Sequence, residues 1–325
     1  MKRVLKWAGI ALSILVLAVL LVPFAIPVKP LEGLASPRDL AGSGDSFVTL
    51  PFEGTDGVDI RYVEAGDPAA DRTFILIHGS VFNAATWDEV MDDFATRGRV
   101  IAYDRLPYGL SEKLQPGDWS GASPLTPTAA VDRVITLMDA LGIERTVLVG
   151  NSYGSVVATR AAAAYPERIE ALVLGDAAVY VDENMPGWLM RAPQVTRLGP
   201  LLARGIGSSE AFVKATWAHP EAMSAERLAK TLSHTGVEGW DSSLFAYLQT
   251  WVTPDMAPII AEVSQPTLVI TGDSDTVVPV EDSERLHEAV AGSEYAVLPD
   301  CGHVPQEECP EIYAEAVLGW IDSQL

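Results

Sequence analysis

The chain has 325 residues, a formal net charge of −22 and 48% hydrophobic residues. The acidic balance argues against nucleic acid as a partner, because phosphate binding needs a basic surface. It also argues against a folded body that lies flat on anionic lipid. Only two cysteines occur, Cys301 and Cys309, and no cysteine–histidine cluster has zinc spacing. We therefore expect no structural metal.

The N-terminus carries a long uncharged run. Residues 7–26 contain no charged side chain, and twenty residues at about 1.5 Å rise per residue just span a bilayer core. Lys2, Arg3 and Lys6 precede this run. The positive-inside bias then predicts a single membrane anchor, with its N-terminus in the cytoplasm and the rest of the chain outside.

A cleaved signal peptide is the alternative for the same segment. Residues 27–44 are rich in Pro, Gly and Ser and predict a linker, so residues 1–45 form an anchor or signal segment with its linker. Gly33-Leu34-Ala35 before Ser36 is a small-x-small pattern that a signal peptidase accepts, which would leave a secreted or periplasmic protein. The apolar run exceeds the usual 7–15 residues of a signal peptide, and that length favours the retained anchor.

Residues 46–325 predict one α/β domain. Two alternating stretches around residues 54–57 predict a hairpin, and short apolar runs predict the further strands. The predicted strands are 47–53, 58–64, 74–77, 100–103, 146–149, 171–174, 267–270 and 295–298. The predicted helices are 87–95, 128–141, 155–165, 280–291 and 310–321. Alternating strands and helices predict a mainly parallel, doubly wound sheet with helices on both faces. Functional side chains then belong at the carboxyl ends of the strands.

One segment interrupts this alternation. Residues 179–258 are helical in character, are bounded by proline, and hold four of the eight tryptophans. The segment therefore predicts an insertion into the α/β domain rather than a part of its sheet.

A short motif organises the α/β domain. Gly150-Asn151-Ser152-Tyr153-Gly154 follows an apolar strand and precedes an Ala-rich helix. This strand–turn–helix context is typical of a nucleophile elbow. A serine hydroxyl must stand clear of the backbone at the tip of a sharp turn, so the flanking Gly150 and Gly154 carry no side chain. Ser152 is the predicted nucleophile.

The elbow resembles that of the α/β-hydrolase superfamily, and four further segments resemble the same family in the same order. They are Ile77-His78-Gly79-Ser80, residues 103–111, Gly272-Asp273-Ser274-Asp275 and Cys301-Gly302-His303-Val304-Pro305. The resemblance covers residues 46–325. It implies the α/β-hydrolase fold, in which the insertion after the sixth strand, about residues 179–258, is a helical cap over the active site.

The order of serine, acid and histidine predicts a catalytic triad. His303 lies after the last predicted strand and follows the candidate acids, which is the order this fold uses. Asp275 occupies the position where the family places its acid. Asp273 is the weaker candidate, because aspartate is common in turns. Asp176 follows the sixth strand, where some relatives keep their acid. His78 is predicted to be structural, since its turn needs a compact polar group.

Two backbone N–H groups, those of Ser80 and Tyr153, are predicted to form the oxyanion hole. Cap aromatic residues could line an apolar acyl pocket, and the alternative for each is packing between cap helices. These candidate substrate-binding residues are Trp188, Trp217, Phe245 and Trp251, with Tyr247 beside them.

The sequence thus predicts a cofactor-free serine hydrolase that cleaves carboxylic esters with an apolar acyl group. The same triad would serve carbon–carbon bond hydrolysis of a vinylogous diketone, which is the nearest alternative. A ligand-binding member of the fold without catalysis is the alternative of another class. If the domain is extracytoplasmic, Cys301 and Cys309 could pair and brace the loop around His303.

Overall fold

Eight strands form a single sheet in the computed structural model, which describes residues 2–181, 186–252 and 254–325. Met1 of the predicted anchor, and residues 182–185 and Thr253 of the predicted cap, lie outside the described residues. The strands are β1 Ser46–Leu50, β2 Val58–Ala65, β3 Thr73–Ile77, β4 Arg99–Tyr103, β5 Thr146–Asn151, β6 Ile169–Gly175, β7 Thr267–Gly272 and β8 Glu294–Leu298.

The strand order is β1-β2-β4-β3-β5-β6-β7-β8. β2 pairs antiparallel with β1 and β4, and every other pair is parallel. This arrangement confirms the predicted mainly parallel, doubly wound sheet. β4 lies on one side of β3 and β5 lies on the other, so the order in which the chain adds strands to the sheet reverses at β3. The carboxyl ends of the parallel neighbours β3 and β5 lie at this point, where such folds place their ligands.

The helices are α1 Lys2–Ala25, α2 Pro37–Leu40, α3 Met91–Ala95, α4 Pro127–Ala140, α5 Tyr153–Ala164, α6 Gly187–Met190, α7 Pro193–Gly207, α8 Glu210–Ala215, α9 Ala225–Thr231, α10 Trp240–Leu248, α11 Ala257–Ile260, α12 Val280–Ala289, α13 Pro305–Glu308 and α14 Pro310–Gln324. The helix predicted over residues 87–95 is shorter than expected. A 3₁₀ turn at Ala84–Trp87, capped by the Asn83 side chain, ends at the first residue of the predicted helix, and α3 covers only its last five residues.

Both faces of the sheet are covered. Ile75 and Ile77 of β3 face one core with residues of α4, α5 and α12, whereas Phe74 and Leu76 face a second core with residues of α3 and α14. A strand buried on both faces needs apolar side chains at every position, which is why these strands read as continuous apolar runs.

Between β6 and β7 the chain forms α6 to α11 and joins no strand of the sheet among the described residues. Polar contacts tie this segment to the α/β core. The Arg227 guanidinium lies 2.6 Å from the Glu89 carboxylate, and the Asn83 amide donates to the Lys230 carbonyl at 2.8 Å. We call residues 179–258 the cap from here on.

Helix α1 is long and apolar enough to cross a membrane, with a mean hydropathy of 2.7 over its most apolar window. The residues that follow it, predicted as a linker over residues 27–44, lie along the cap. Ala35 pairs with the cap backbone, donating to Gly236 O and accepting from Glu238 N, both at 3.0 Å. Backbone groups of residues 27–44 thus form hydrogen bonds with backbone groups of the cap. Composition does not reveal such long-range pairing.

A disulfide joins Cys301 to Cys309 across a separation of eight residues. The sequence left this pairing open, and the structure contains it. The loop that it closes carries His303, and Cys301 is fully buried. The bond therefore ties the start of α14 to the turn after β8.

Candidate active site

The turn after β5 holds Ser152 in an unusual backbone conformation, with φ +55°. Its N–H donates to Gly175 O of β6 at 2.8 Å. A Cβ at Gly150 would lie 2.5 Å from the Gly154 carbonyl carbon, and one at Gly154 would lie 1.9 Å from Ile77 O. Only glycine fits at these two positions, so the motif spacing follows directly from the closeness of β3, β5 and α5.

His303 pairs with one of the three candidate acids. Its Nδ1 lies 2.7 Å from Asp275 Oδ2, and both side chains are buried. The other carboxylate oxygen of Asp275 accepts from Val277 N at 2.7 Å and Val278 N at 3.1 Å. A tautomer with Nδ1–H directed at Asp275 leaves Nε2 of the ring able to accept a proton.

The other two candidate acids occupy different positions. Asp176 is fully buried and accepts from Gly272 N at 3.0 Å and Thr271 Oγ1 at 3.1 Å. Burial, and next the charge of Asp275, raise the pKa of Asp176 well above its usual value. Asp176 therefore favours the neutral form. Asp273 is exposed and accepts from Asp300 N in a turn. The catalytic role of Asp275 itself stays a prediction.

Within the described residues, one cluster has the side chains that a metal ion would need. Ligand atoms of Asp176, Asp275 and His303 lie within 4.8 Å of one another. Hydrogen bonds already occupy these atoms, however, and His303 Nδ1 holds its proton toward Asp275. The cluster is therefore suited to orienting an imidazole.

His78 links two loops at the same edge of the sheet. Its Nε2 accepts from Arg105 N at 2.8 Å, its Nδ1 donates to Gly79 O at 2.7 Å, and its carbonyl accepts from Arg105 Nε. Burial, and next the Arg105 charge, lower its pKa well below the usual value. A permanently neutral ring with both nitrogens bonded is structural, in agreement with the interpretation from sequence.

The predicted oxyanion donors lie beside the nucleophile. Ser80 and Tyr153 line the same pocket as Ser152 and His303. Tyr153 is the first residue of α5, where backbone N–H groups have no partner within the helix. A Cβ at Gly79 would lie 2.9 Å from Ser152 Cβ, so the turn after β3 passes directly beside the nucleophile. The arrangement suits an oxyanion hole, whose function stays a prediction.

Apart from Ser80, Ser152, Tyr153 and His303, the pocket is lined by apolar residues. They are Phe82, Val156, Ala178, Val181, Phe212, Trp251, Pro254, Met256, Val277 and Val278. No Asp, Glu, Lys or Arg belongs to this lining among the described residues. The pocket therefore offers an apolar surface beside Ser152 and His303.

The structure brings only one of the four predicted cap residues to this pocket, Trp251. Phe245 is buried against Gly199 of α7, and Trp217 donates to the Glu307 carboxylate at 3.2 Å. Trp188 is 75% exposed. Tyr247 packs edge-on against Trp251 with ring centroids 5.5 Å apart. Short cap helices turn these aromatic rings in directions that sequence periodicity does not define.

Pattern reading missed several lining residues. Phe212 and Met256 lie in the cap without a motif to mark them. Val277 and Val278 follow the candidate acid directly, so the Asp-x-Val-Val-Pro run was a signal that could have placed them beside the site.

Part of the cap holds the loop that carries the base. His303 N donates to Thr216 O of the cap at 2.7 Å. The Glu308 carboxylate accepts from Ala218 N at 2.9 Å, His219 N at 2.8 Å and Gly302 N at 2.8 Å. Residues 215–219 of the cap are therefore bonded to the His303 loop at two points, the His303 N–H and the Glu308 carboxylate.

The fold, with a serine at a nucleophile elbow and an Asp–His pair beside it, defines the class of α/β hydrolases. A family model for the alpha/beta hydrolase fold matches residues 72–310. The chain belongs to this family.

Three curated relatives illustrate its range. The chain is 28% identical to a 2-hydroxy-6-oxononadienedioate/2-hydroxy-6-oxononatrienedioate hydrolase of Klebsiella pneumoniae, covering 83% of this chain and 93% of the relative. It is 30% identical to a 2-hydroxymuconate semialdehyde hydrolase of a Pseudomonas species, covering 77% and 87%. It is 28% identical to Lipase 3 of a Moraxella species, covering 78% of each.

Solved structures share the fold. A thermophilic esterase from Thermogutta terrifontis matches with a TM-score of 0.69 at 23% identity, covering 86% of this chain and 98% of that one. A bacterial membrane phospholipase A matches with a TM-score of 0.67 at 24% identity, covering 99% of each chain.

Burial of Glu307 generates a prediction about pH. Burial raises the pKa of Glu307 to about 7, opposed by the Arg227 charge, from an ordinary value of 4.5. Between these pH values the folded state keeps a proton that the unfolded state has lost, so the free energy of unfolding falls as pH rises. We expect Glu307→Gln to be more stable than the wild type by up to about 3 kcal/mol above pH 7 and to lose this advantage below pH 4.5.

Denaturant unfolding across this pH range measures the difference. Glu311→Gln, on the exposed side of α14, serves as the control and keeps the wild-type profile. A stability difference for Glu307→Gln that is constant with pH would show that its carboxyl group does not titrate in this window.

Proposed function

We propose that this chain is a serine hydrolase that cleaves uncharged carboxylic esters with an apolar acyl group. The observation that carries the proposal is the composition of the pocket beside Ser152, which is apolar and free of charged side chains among the described residues. An alkyl or aryl acyl chain gains about 25 cal/mol for each Å² that such a pocket removes from water. No cofactor takes part in the reaction.

In the first half of the reaction, Ser152 Oγ attacks the acyl carbon while His303 Nε2 accepts the hydroxyl proton. Asp275 holds the ring orientation and stabilises the imidazolium through its bond to Nδ1. The N–H groups of Tyr153 and Ser80 stabilise the negative oxygen of the tetrahedral intermediate. Its collapse breaks the ester C–O bond, and the alcohol leaves with the proton from His303.

In the second half, water attacks the acyl-enzyme. His303 Nε2 accepts a proton from that water and returns it to Ser152 Oγ as the acid leaves. The hydrogen bonds from Val277 N and Val278 N to Asp275 hold its carboxylate in place against the ring through both halves.

Carbon–carbon bond hydrolysis is the second candidate, and the names of two relatives favour it. A nonadienedioate carries two carboxylates. Burying a carboxylate requires a cation or several hydrogen-bond donors, and the described pocket lining holds no Lys or Arg. The apolar lining therefore favours the ester. The variants of Ser152, His303 and Asp275 described next also test a ligand-binding role without catalysis.

The triad gives the first activity prediction. Ser152→Ala is expected to lower kcat by about 10⁴-fold or more with the fold intact, and His303→Ala likewise. Asp275→Asn removes the anion bonded to His303 and should also be severely impaired, whereas Asp176→Asn keeps a neutral group and should retain most activity. Steady-state kinetics measure kcat, and circular dichroism shows whether the fold is intact. Labelling of the wild type, but not of Ser152→Ala, by a fluorophosphonate is the control.

If Asp176→Asn is inactive while Asp275→Asn is nearly silent, the acid assignment is wrong. If the fluorophosphonate does not attach to Ser152 in the wild type, the catalytic proposal itself fails and the ligand-binding alternative stands.

Acyl length gives the second prediction. With p-nitrophenyl esters, kcat/KM should rise about tenfold from acetate to butyrate, since each buried methylene contributes about 0.8 kcal/mol. Trp251→Ala should flatten this rise, whereas the matched control Trp188→Ala, outside the pocket, should not. A dienoic diketo acid is assayed beside the esters. Fastest turnover of acetate, or preference for the diketo acid, would contradict the proposal.

We further propose that α1 is a retained anchor and that the hydrolase domain is extracytoplasmic. Three observations support this. The helix is long and apolar enough to span a bilayer, basic residues precede it, and a disulfide lies in the domain, as is usual outside the reducing cytoplasm.

Fractionation with N-terminal sequencing tests the anchor. We expect the full chain in the membrane fraction, and digestion of the domain by protease added to intact spheroplasts. A soluble mature chain that begins at Ser36 would show cleavage instead. Protection of the domain from added protease would reverse the orientation.

A further inference from the structure

The cap contains a segment whose charge is opposite to that of the whole chain. Residues 186–207, which form α6 and α7, contain Arg191, Arg197 and Arg204 and no acidic residue. The complete chain has 44 acidic and 22 basic residues. A cationic segment on an acidic protein marks a surface suited to a partner with negative charge. We call these residues the α6–α7 segment.

The α6–α7 segment lies against the end of the apolar N-terminal helix. The Gln194 amide donates to Leu20 O at 3.4 Å, and the Arg197 guanidinium donates to Ile26 O at 3.1 Å. Leu20 precedes the end of α1 by five residues, which is about 7.5 Å of helix. With α1 in a bilayer, the beginning of α7 is therefore about 7.5 Å inside the end of the helix, at the boundary between headgroups and acyl chains.

Two apolar side chains are exposed close to this contact. Trp188 of α6 is 75% exposed and Val252 is 61% exposed. These are the highest exposures of large apolar side chains outside α1 in the described part of the chain. Tryptophan is enriched at membrane interfaces, where its ring lies at headgroup depth.

The same segment is bonded to the wall of the pocket. The Gln249 amide donates to Met190 O of α6 at 2.9 Å. Trp251, two residues later, lines the pocket, and Val252 follows it. Phe212 lines the pocket too and is 39% exposed, so it lies where the pocket opens. The membrane helix, the α6–α7 segment and the pocket wall thus form one continuous set of contacts.

We propose that the α6–α7 segment, with Trp188 and Val252, docks on the anionic surface of the bilayer that holds α1, and that the pocket takes acyl esters of amphiphiles directly from that bilayer. Arg191 and Arg197 face lipid headgroups, whereas Arg204 stays paired with the Asp241 carboxylate at 2.7 Å. The two apolar side chains enter the interface. The acidic remainder of the domain stays in water. The proposal of a substrate source rests on the proposed ester hydrolysis, whereas docking does not.

The test uses the full chain reconstituted into vesicles of phosphatidylcholine with phosphatidylglycerol. Two esters are compared, water-soluble p-nitrophenyl butyrate and bilayer-dissolved p-nitrophenyl palmitate. The double variant Trp188→Ser/Val252→Ser should hydrolyse the bilayer ester about tenfold more slowly, since it loses the interfacial apolar surface. Its rate on the soluble ester should stay within about twofold of the wild type.

The control is Val297→Ser/Ile312→Ser, which removes two exposed apolar side chains of β8 and α14, outside the cap. It should change neither rate. An equal change on both esters, which leaves the ratio of the two rates as in the wild type, would show that Trp188 and Val252 do not distinguish a bilayer-dissolved from a water-soluble substrate. That result overturns the proposed substrate source.

A second measurement tests docking without catalysis. Brominated phosphatidylcholine quenches tryptophan fluorescence at the bilayer, and the quenched fraction should fall in Trp188→Phe relative to the wild type. Replacing phosphatidylglycerol by phosphatidylcholine should lower the quenching of Trp188 as well. Identical quenching in the wild type and Trp188→Phe would overturn docking. A wild type that hydrolyses neither ester but still shows Trp188 quenching would overturn ester hydrolysis alone.

Discussion

The backbone of Ser152, held at φ +55°, is the constraint on which the rest of the site depends. The conformation persists because β3, β5 and α5 meet so closely that Gly150 and Gly154 admit no side chain. The neighbouring Asn151 extends this contact, because its amide donates to His303 O at 2.9 Å. The elbow thus positions Ser152 and also the loop that carries His303.

The residues of the elbow and of the Asp–His pair could be predicted because each lies in a short local pattern. Glycine spacing marks Ser152, and the carboxyl ends of neighbouring parallel strands bring distant loops together. His303 and Asp275 follow two adjacent strands, β8 and β7, so their encounter is a consequence of sheet order. Local patterns could not decide between Asp275 and Asp176, because both follow strands. Only the direction of the two side chains shows which one contacts His303.

The cap could be located from the sequence, but its inner surface could not. Trp188 and Trp251 have the same side chain in the same insertion, and one is exposed whereas the other lines the pocket. Short helices such as α6 have no periodicity long enough to define a face. The path of residues 27–44 along the cap depends on pairings such as that of Ala35 with Gly236. These two residues are about two hundred positions apart in the sequence, so their pairing leaves no local sequence pattern.

The bonds between the cap and the His303 loop divide the cap into two parts with different freedom to change. Thr216 O and the N–H groups that bind Glu308 are hydrogen-bonded directly to the loop that carries His303. Any displacement of residues 215–219 also displaces the imidazole. The wall formed by Phe212, Trp251 and Met256 lies outside residues 215–219. Substitutions there can reshape the pocket while the bonds between residues 215–219 and the His303 loop are preserved.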